Sequence, residues 1–187
     1  VNVVVAGKTL DKSNQALAET EVIVYDGNGN VIDRVTTDEN GNFTFNLKPE
    51  TFYRIEAKSD VSGEESIVIE SHAYDTLIRK DIVLKPEFFL VCHVKDAESK
   101  QSVSGAKITM TDPLSGESKT VYTDERGFIS EQLSSGNLND NLKYNLTIEK
   151  TDYLTKSIAY DTVLHKSGEY LLNVDLQKEG ADESTVN

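Results

Sequence analysis

Val35-Thr36-Thr37-Asp38-Glu39-Asn40-Gly41 recurs 86 residues later, with position 121 matching position 35, as Val121-Tyr122-Thr123-Asp124-Glu125-Arg126-Gly127. In each copy the aspartate can accept backbone N–H bonds, and the glycine can adopt a positive φ without Cβ strain. The stretch therefore predicts a tight turn with positive φ at Gly41 and Gly127. Its repetition indicates that the chain consists of two homologous domains.

The residues around this turn extend the repeat. Val22-Ile23-Val24 aligns with Ile108-Thr109-Met110, and Tyr53 aligns with Tyr144 after a loop insertion that follows Leu133. We therefore expect the two domains to superpose, with the apolar residues of one copy equivalent to those of the other. Residues expected to be equivalent are Val22 and Ile108, Val24 and Met110, Phe43 and Ile129, Tyr53 and Tyr144, and Ile55 and Leu146.

Apolar residues follow a period of two in both copies, and no window of about twelve residues keeps a helical apolar stripe. Short strands separated by turn residues at regular spacing are typical of a β-sandwich. The sequence therefore predicts an all-β fold of two tandem β-sandwiches. The predicted strands are Glu21–Tyr25, Asn42–Leu47, Phe52–Ala57, Ser66–Glu70, Asp81–Leu84, Phe88–Lys95, Ala106–Thr111, Lys119–Thr123, Lys143–Ile148 and Tyr170–Leu176.

The domain boundary is predicted at Lys85-Pro86-Glu87, because proline disfavours helix before it and cannot donate to a sheet ladder. This gives a first sandwich over residues 1–85 and a second over 86–178. Residues 179–187 lose all periodicity and are expected to be a disordered linker or tail. Phe88 and Phe89 should point to opposite faces, one into the second core and the other towards the first domain.

Composition excludes several classes of function. The chain has 32 acidic and 19 basic residues, a net charge of −13, which disfavours nucleic acid and anionic lipid as partners. No apolar stretch approaches the length of a transmembrane helix, so direct membrane insertion is not expected. Its opening residues lack the features of a secretory signal, and the chain is expected to be a piece of a longer protein.

The pattern of reactive residues gives little support for a catalytic function. His72, His93 and His165 do not occupy equivalent positions in the two copies. Ser71-His72 followed by Asp75 is a local cluster, but neighbouring strand residues point to opposite faces. Cys92 shares a strand face with Leu90 and Val94, which predicts a buried small apolar residue. We therefore predict no enzyme, no catalytic residues and no cofactor.

Two other motifs are candidate binding sites. Asp26-Gly27-Asn28-Gly29-Asn30 resembles the start of a calcium loop, but no bidentate glutamate follows it, so a hairpin turn is favoured and no metal site is predicted. Ala73-Tyr74-Asp75-Thr76 matches Ala159-Tyr160-Asp161-Thr162. A turn capped by the aspartate is the favoured interpretation, and a duplicated partner contact is the alternative.

The order of these motifs resembles the carboxypeptidase regulatory-like domains, which are transthyretin-like sandwiches related to immunoglobulin-like folds and to collagen-adhesin B-type repeats. The residues that carry the resemblance are Leu17, Val22, Val24, the stretch Thr37–Phe43 and the stretch Leu47–Ile55. The resemblance covers both repeats, although the second lacks the proline before Tyr144. It implies a module of bacterial envelope proteins, including some outer-membrane proteins, that spaces or docks other domains.

The resemblance to collagen-adhesin repeats also raises an internal Lys–Asn isopeptide bond assisted by a buried glutamate. The nominal residues are Lys95, Glu149 and Asn173 in the second domain and Lys8, Glu56 and Asp81 in the first. Strand alternation turns both glutamates away from the core, so we expect no such bond.

The function expected from the sequence is a non-catalytic tandem spacer or docking segment of a larger bacterial envelope or secreted protein. A calcium- or carbohydrate-binding surface module is the alternative. Its partners would be other domains of the same protein or other envelope proteins. The expected location is periplasmic or extracellular.

Overall fold

The computed structural model describes residues 2–49, 51–133 and 136–180, and this part of the chain contains strands and no helix. Among these residues no helix is long and apolar enough to cross a membrane. The chain divides into two compact units between Pro86 and Glu87. Most of the predicted tail, from residue 181 onward, lies outside the described residues.

The first unit is a β-sandwich of eight strands in two sheets. The strands are β1 (Val3–Leu10), β2 (Glu21–Tyr25), β3 (Val31–Thr36), β4 (Asn42–Leu47), β5 (Phe52–Ser59), β6 (Gly63–Glu70), β7 (Leu77–Arg79) and β8 (Ile82–Val83). One sheet has the order β4-β1-β7, with β8 also paired to β1, and the other has the order β3-β2-β5-β6.

The second unit repeats this plan with seven strands. They are β9 (Phe88–Asp96), β10 (Lys107–Thr111), β11 (Ser118–Tyr122), β12 (Phe128–Gln132), β13 (Asn141–Glu149), β14 (Lys156–Val163) and β15 (Gly168–Leu176). The sheets have the orders β12-β9-β15 and β11-β10-β13-β14. Each sheet of the second unit thus matches one of the first, and the predicted all-β fold of sandwiches is confirmed.

The cores form because alternate residues of each strand face the opposite sheet. Along β9 every second residue is buried, from Phe88 to Asp96, and β4 buries Phe43, Phe45 and Leu47 in the same way. Each fully buried side chain of this size contributes about 1.5–3 kcal/mol through removal of apolar area from water. Burial of these alternating apolar side chains therefore provides the main stabilisation of both sandwiches.

Strand pairing confirms the predicted equivalence of the two copies. Val24 lies opposite Ile55 in the first unit, and Met110 lies opposite Leu146 in the second. Because these pairs occupy the same place in corresponding sheets, Val24 is equivalent to Met110 and Ile55 to Leu146.

One predicted correspondence is wrong. Ala159–Thr162 lies inside β14, where Tyr160 is half-buried opposite Tyr144. Ala73–Thr76, in contrast, follows β6 as a turn in which Tyr74 is 81% exposed. Tyr160 pairs with Tyr144, whereas the residue that pairs with the equivalent Tyr53 in the first unit is Ile69. Tyr160 therefore corresponds to Ile69 and not to Tyr74, and the shared tetrapeptide is not a structural repeat.

The predicted strand Asp81–Leu84 is also corrected. Within that range the structure has only the short β8, and β7 ends before it at Arg79. The Asp81 carboxylate accepts the N–H of Lys8 and interrupts the pairing with β1 between these two strands. In addition, the strands named from the sequence do not include β1, β3, β7, β12 or β14. Glu131, the counterpart of Phe45 in the second unit, is less buried than that residue, since its side chain is 17% exposed and pairs with Lys119.

Candidate functional site

The first and last long strands of the second unit run side by side in the same direction. β9 and β15 pair in parallel over nine consecutive positions, from Gly168 opposite Phe88 to Leu176 opposite Asp96. Backbone bonds extend the ladder at both ends, from Gly168 N–H to Glu87 O at 2.8 Å and from Ala97 N–H to Leu176 O at 2.9 Å. The first and last strands of this unit are therefore joined by one continuous hydrogen-bonded ladder, the β9–β15 ladder.

The first unit has a shorter version of the same pairing. β1 pairs in parallel with β7 over three positions and with β8 over two. The interruption lies at Lys80 and Asp81, where Lys80 donates its N–H to Ala6 O at 3.0 Å before the Asp81 carboxylate intervenes. The parallel connection between first and last strands is thus weaker and discontinuous in this unit.

The repeated turn has the predicted geometry in both units. Gly41 and Gly127 have φ values of 75° and 80°. Asp38 Oδ1 accepts the N–H groups of Asn40 and Asn42, each at 2.9 Å. Asp124 accepts the equivalent pair of N–H groups at the same distances. These hydrogen bonds lower the pKa of both aspartates. The largest contribution comes from the backbone N–H of Asn42 at Asp38 and from that of Phe128 at Asp124.

A buried threonine beside each turn was not recognised from the sequence. Thr37 Oγ1 accepts the N–H of Thr20 at 2.9 Å and donates to Leu17 O at 2.8 Å. Thr123 Oγ1 repeats this, accepting from Ala106 N at 2.9 Å and donating to Val103 O at 2.7 Å. The signal was present, because both threonines precede the aspartate of the repeated motif.

Asp96 forms a second polar centre, which the sequence did not indicate. Its carboxylate accepts the N–H groups of Ser99 and Glu98 at 2.9 Å and the hydroxyl of Tyr153 at 2.8 Å, and Lys178 Nζ lies 3.8 Å away. The backbone bond from Ser99 and the Tyr153 hydroxyl are the main causes that lower the pKa of Asp96 to about 2. This carboxylate joins the end of β9 to the segments that flank β14 and β15.

The predicted local cluster of Ser71, His72 and Asp75 is not arranged for nucleophilic catalysis. Ser71 Oγ donates to the carbonyls of Lys48 and Thr51, and Asp75 accepts the backbone N–H of His72 rather than its ring. The His72 ring instead stacks on Tyr74 at a centroid distance of 5.3 Å.

The other reactive residues lie apart from this cluster. His93 stacks on Phe128 at 4.0 Å and its Nε2 lies 3.0 Å from Ser102 Oγ, while His165 contacts the carbonyl of Val163. Cys92 is fully buried, as predicted, and desolvation raises the pKa of its thiol to about 11. At neutral pH this thiol is protonated and shielded.

Asp26, the first residue of the nominal calcium loop, uses its carboxylate within its own turn. Oδ1 accepts the N–H groups of Asn28 and Asn30 at 2.9 Å, and Oδ2 lies 3.3 Å from the Asn30 amide. These bonds, led by that from the Asn30 backbone, lower the pKa of Asp26. Within the described residues no group of three or more histidine, cysteine or acidic side chains could hold a metal ion.

The nominal isopeptide residues lie on the outer faces of their sheets. Glu56 pairs with Arg54 at 3.1 Å and Lys58 at 3.2 Å, and Glu149 pairs with Lys107 at 3.8 Å. In the second unit Asn173 lies opposite His93, and Lys95 lies opposite Asp175, both on the outer face. In the first unit the contact between Lys8 and Asp81 uses the lysine backbone rather than its amine.

Comparison with known proteins supports the prealbumin-like part of the resemblance. Residues 3–69 match the model of the family described as "SpaA: Prealbumin-like fold domain". Prealbumin-like and transthyretin-like describe the same sandwich. The narrower assignment to carboxypeptidase regulatory-like or collagen-adhesin B-type domains is not confirmed.

Similar proteins include Serine-aspartate repeat-containing protein F of Staphylococcus epidermidis, which is 24% identical over 175 residues. This match covers 80% of the chain and 10% of that protein, so the chain spans a tenth of the length of the curated relatives it matches. Among solved structures, the Bacillus anthracis TIE protein is 19% identical with a TM-score of 0.43, covering 96% of this chain and 34% of that one. The shaft pilin SpaA from Lactobacillus rhamnosus GG is 13% identical with a TM-score of 0.39, covering 96% and 98%.

Proposed function

We propose that the chain is a non-catalytic, tension-bearing β-sandwich segment of a larger bacterial surface protein. It spaces other domains of that protein, or docks them to neighbouring envelope proteins. The match to a prealbumin-like domain and the similarity to Serine-aspartate repeat-containing protein F support an extracellular, envelope-associated location. The same matches favour the outer surface of the cell over the periplasm.

The observation that carries the proposal is the β9–β15 ladder. A pull applied to the chain acts on the start of β9 and on the end of β15, which are opposite ends of two parallel strands. Such a pull slides the strands along each other, so it loads all the evenly spaced hydrogen bonds of the ladder together. Antiparallel strands pulled from one shared end would instead separate one bond at a time.

The two units should differ in mechanical strength. The ladder of the second unit is continuous over nine positions, whereas that of the first has three positions on β7 and two on β8. We therefore propose that the first unit yields at a lower force and extends first. The second would then hold the connection to the rest of the protein.

Single-molecule pulling of the full chain tests this proposal. Attachment cysteines at Glu87 and Lys178, in a Cys92→Ala background, load the β9–β15 ladder in shear. The matched control places them at Glu87 and Lys166, both at the beginning of the ladder, so that the same strands are peeled apart. We expect a clearly higher unfolding force for the first geometry. Equal forces in the two geometries would refute the tension-bearing function.

A further inference from the structure

We propose that the free edge of β15 binds an extended, basic segment of a partner protein as an additional β-strand. This inference goes beyond the tension-bearing function, which depends on the opposite edge of the same strand. It follows from the direction of the backbone groups along β15, from the contrast with the first unit and from the negative charge of Glu169 and of the whole chain.

The backbone groups of β15 alternate between its two edges. Gly168 N–H and Leu176 O both bond towards β9, so the residues between them with even numbers also face β9. The residues with odd numbers, Glu169, Leu171, Asn173 and Asp175, direct their N–H and C=O groups to the other edge. Asp175 O accepts a bond there from the Lys156 side chain at 3.0 Å.

No strand of the described chain pairs with that edge of β15. Towards its end the edge is closed, because Leu154 N–H donates to Gln177 O at 2.8 Å. The stretch from Glu169 to Asn173 remains open, and Leu171 in its middle is 69% exposed. An open edge of this kind is a template for a further strand, which would gain main-chain hydrogen bonds.

The first unit protects its corresponding edge. Its last strands, β7 and β8, have three and two residues and are separated by the contact between Asp81 and Lys8. Arg79 is exposed at the edge. Short, interrupted and charged edge strands are the usual means of preventing strand addition. β15 is neither short nor interrupted, although the two units share one fold.

The chemistry of the edge selects a basic partner. Glu169 is exposed at the start of the open stretch, and the whole chain carries a net charge of −13. A second copy of this chain would bring the same acids and the same net charge to the edge. A lysine or arginine on the incoming strand would instead face Glu169, and an apolar residue would pack beside Leu171.

Peptide binding followed by NMR of the full chain tests the proposal. The probe is a capped nine-residue peptide of alternating lysine, valine and threonine, and its control replaces each lysine with glutamate. We expect the basic peptide to bind with a Kd below about 1 mM and to shift the amide signals of Glu169, Leu171 and Asn173. The acidic peptide should bind at least tenfold more weakly.

Two variants at one position separate the backbone from the side chain. Leu171→Pro removes an N–H that faces only the open edge, where proline is tolerated, and should reduce binding at least tenfold. Leu171→Thr keeps the N–H and should bind within about threefold of the unmodified chain. Glu169→Gln, which removes the charge of the open stretch, should weaken binding of the basic peptide more than threefold.

Several results would overturn the strand-docking proposal. These are equal binding by Leu171→Pro and Leu171→Thr, shifts located away from β15, no binding of the basic peptide, or self-association of the chain through β15 in sedimentation experiments. None of them would affect the proposed tension-bearing function, because that depends on the β9–β15 ladder and is tested by pulling.

Discussion

The hydroxyl of Tyr153 donates a hydrogen bond of 2.8 Å to the carboxylate of Asp96, across 57 positions of sequence. Asp96 ends β9, and Tyr153 pairs with Lys178 just beyond β15. One carboxylate thus connects the first strand of the second unit to the segment that leads out of its last strand. Since tension would leave the unit at the end of β15, the contact reinforces that end of the β9–β15 ladder.

Replacement of Asp96 should change how stability depends on pH. The folded-state pKa of Asp96 is about 2, below its ordinary value of 3.8. Because folding lowers this pKa, the ionised carboxylate stabilises the folded chain at pH values above the unfolded-state pKa. This stabilisation is lost as the pH falls through 3.8 towards 2. We expect Asp96→Asn to be less stable than the unmodified chain at pH 6 and nearly equal to it at pH 2.

Urea unfolding at a series of pH values measures this difference, and Tyr153→Phe should lose part of it. Asp11→Asn, in the corresponding turn of the first unit, serves as a control because the bonds to its carboxylate come from Ser13 and Gln15 within the turn. A constant difference between Asp96→Asn and the unmodified chain from pH 6 to pH 2 would contradict the prediction.

Alanine at the conformationally restricted glycines should destabilise each unit. A Cβ at Gly41 would lie 2.8 Å from Thr9 O, and one at Gly127 would lie 2.6 Å from Val94 O. Steric clash and the positive φ together should cost about 2–3 kcal/mol for either substitution. Gly116→Ala is the matched control, since Gly116 has a φ of 76° but open space around it. Its cost should be about 1 kcal/mol. Equal costs at the three positions, measured by urea unfolding, would mean that the contacts are unimportant.

Loss of the buried threonine hydroxyls should also be costly. Thr37→Val and Thr123→Val keep the side-chain shape but remove the acceptor of one buried N–H group, that of Thr20 or Ala106. Thr123→Val also removes the donor to Val103 O, whereas Leu17 O keeps its bond from Thr9. Each substitution should therefore reduce the free energy of unfolding by about 1–3 kcal/mol. Thr36→Val, at an exposed position of β3, should have an effect below about 0.5 kcal/mol. Thermal unfolding of the three variants would show whether the hydroxyls have the predicted importance.

Cys92 should report on the unfolding of the second unit. Because the thiol is fully buried and its pKa is raised to about 11, we expect it to resist a disulfide reagent at pH 8 until the unit opens. Gly127→Ala should accelerate labelling by more than tenfold, in proportion to its larger loss of stability, whereas Gly116→Ala should accelerate it less. Rapid labelling of the native protein would show that the strand containing Cys92 opens locally.

Local patterns in the sequence determined the type of structure. The period of two in Phe43, Phe45 and Leu47 identifies a strand and its buried face, because successive strand residues face opposite sides. The repeated Asp38 and Gly41 pattern identifies the turn and the sign of φ, because both depend on groups within a few residues. The same alternation correctly turned Glu56 and Glu149 away from the cores.

Only the tertiary structure decided which strands pair. Ala159–Thr162 could be interpreted as a turn because the tetrapeptide alone does not show that Tyr160 packs opposite Tyr144. Likewise, the neighbours that close the β9–β15 ladder, Glu87 and Ser167, are 80 positions apart. The open edge of β15 also follows from this pairing. Local chemistry sets the conformation of each segment, whereas pairing depends on the packing of distant segments around a shared core, which no short stretch of sequence contains.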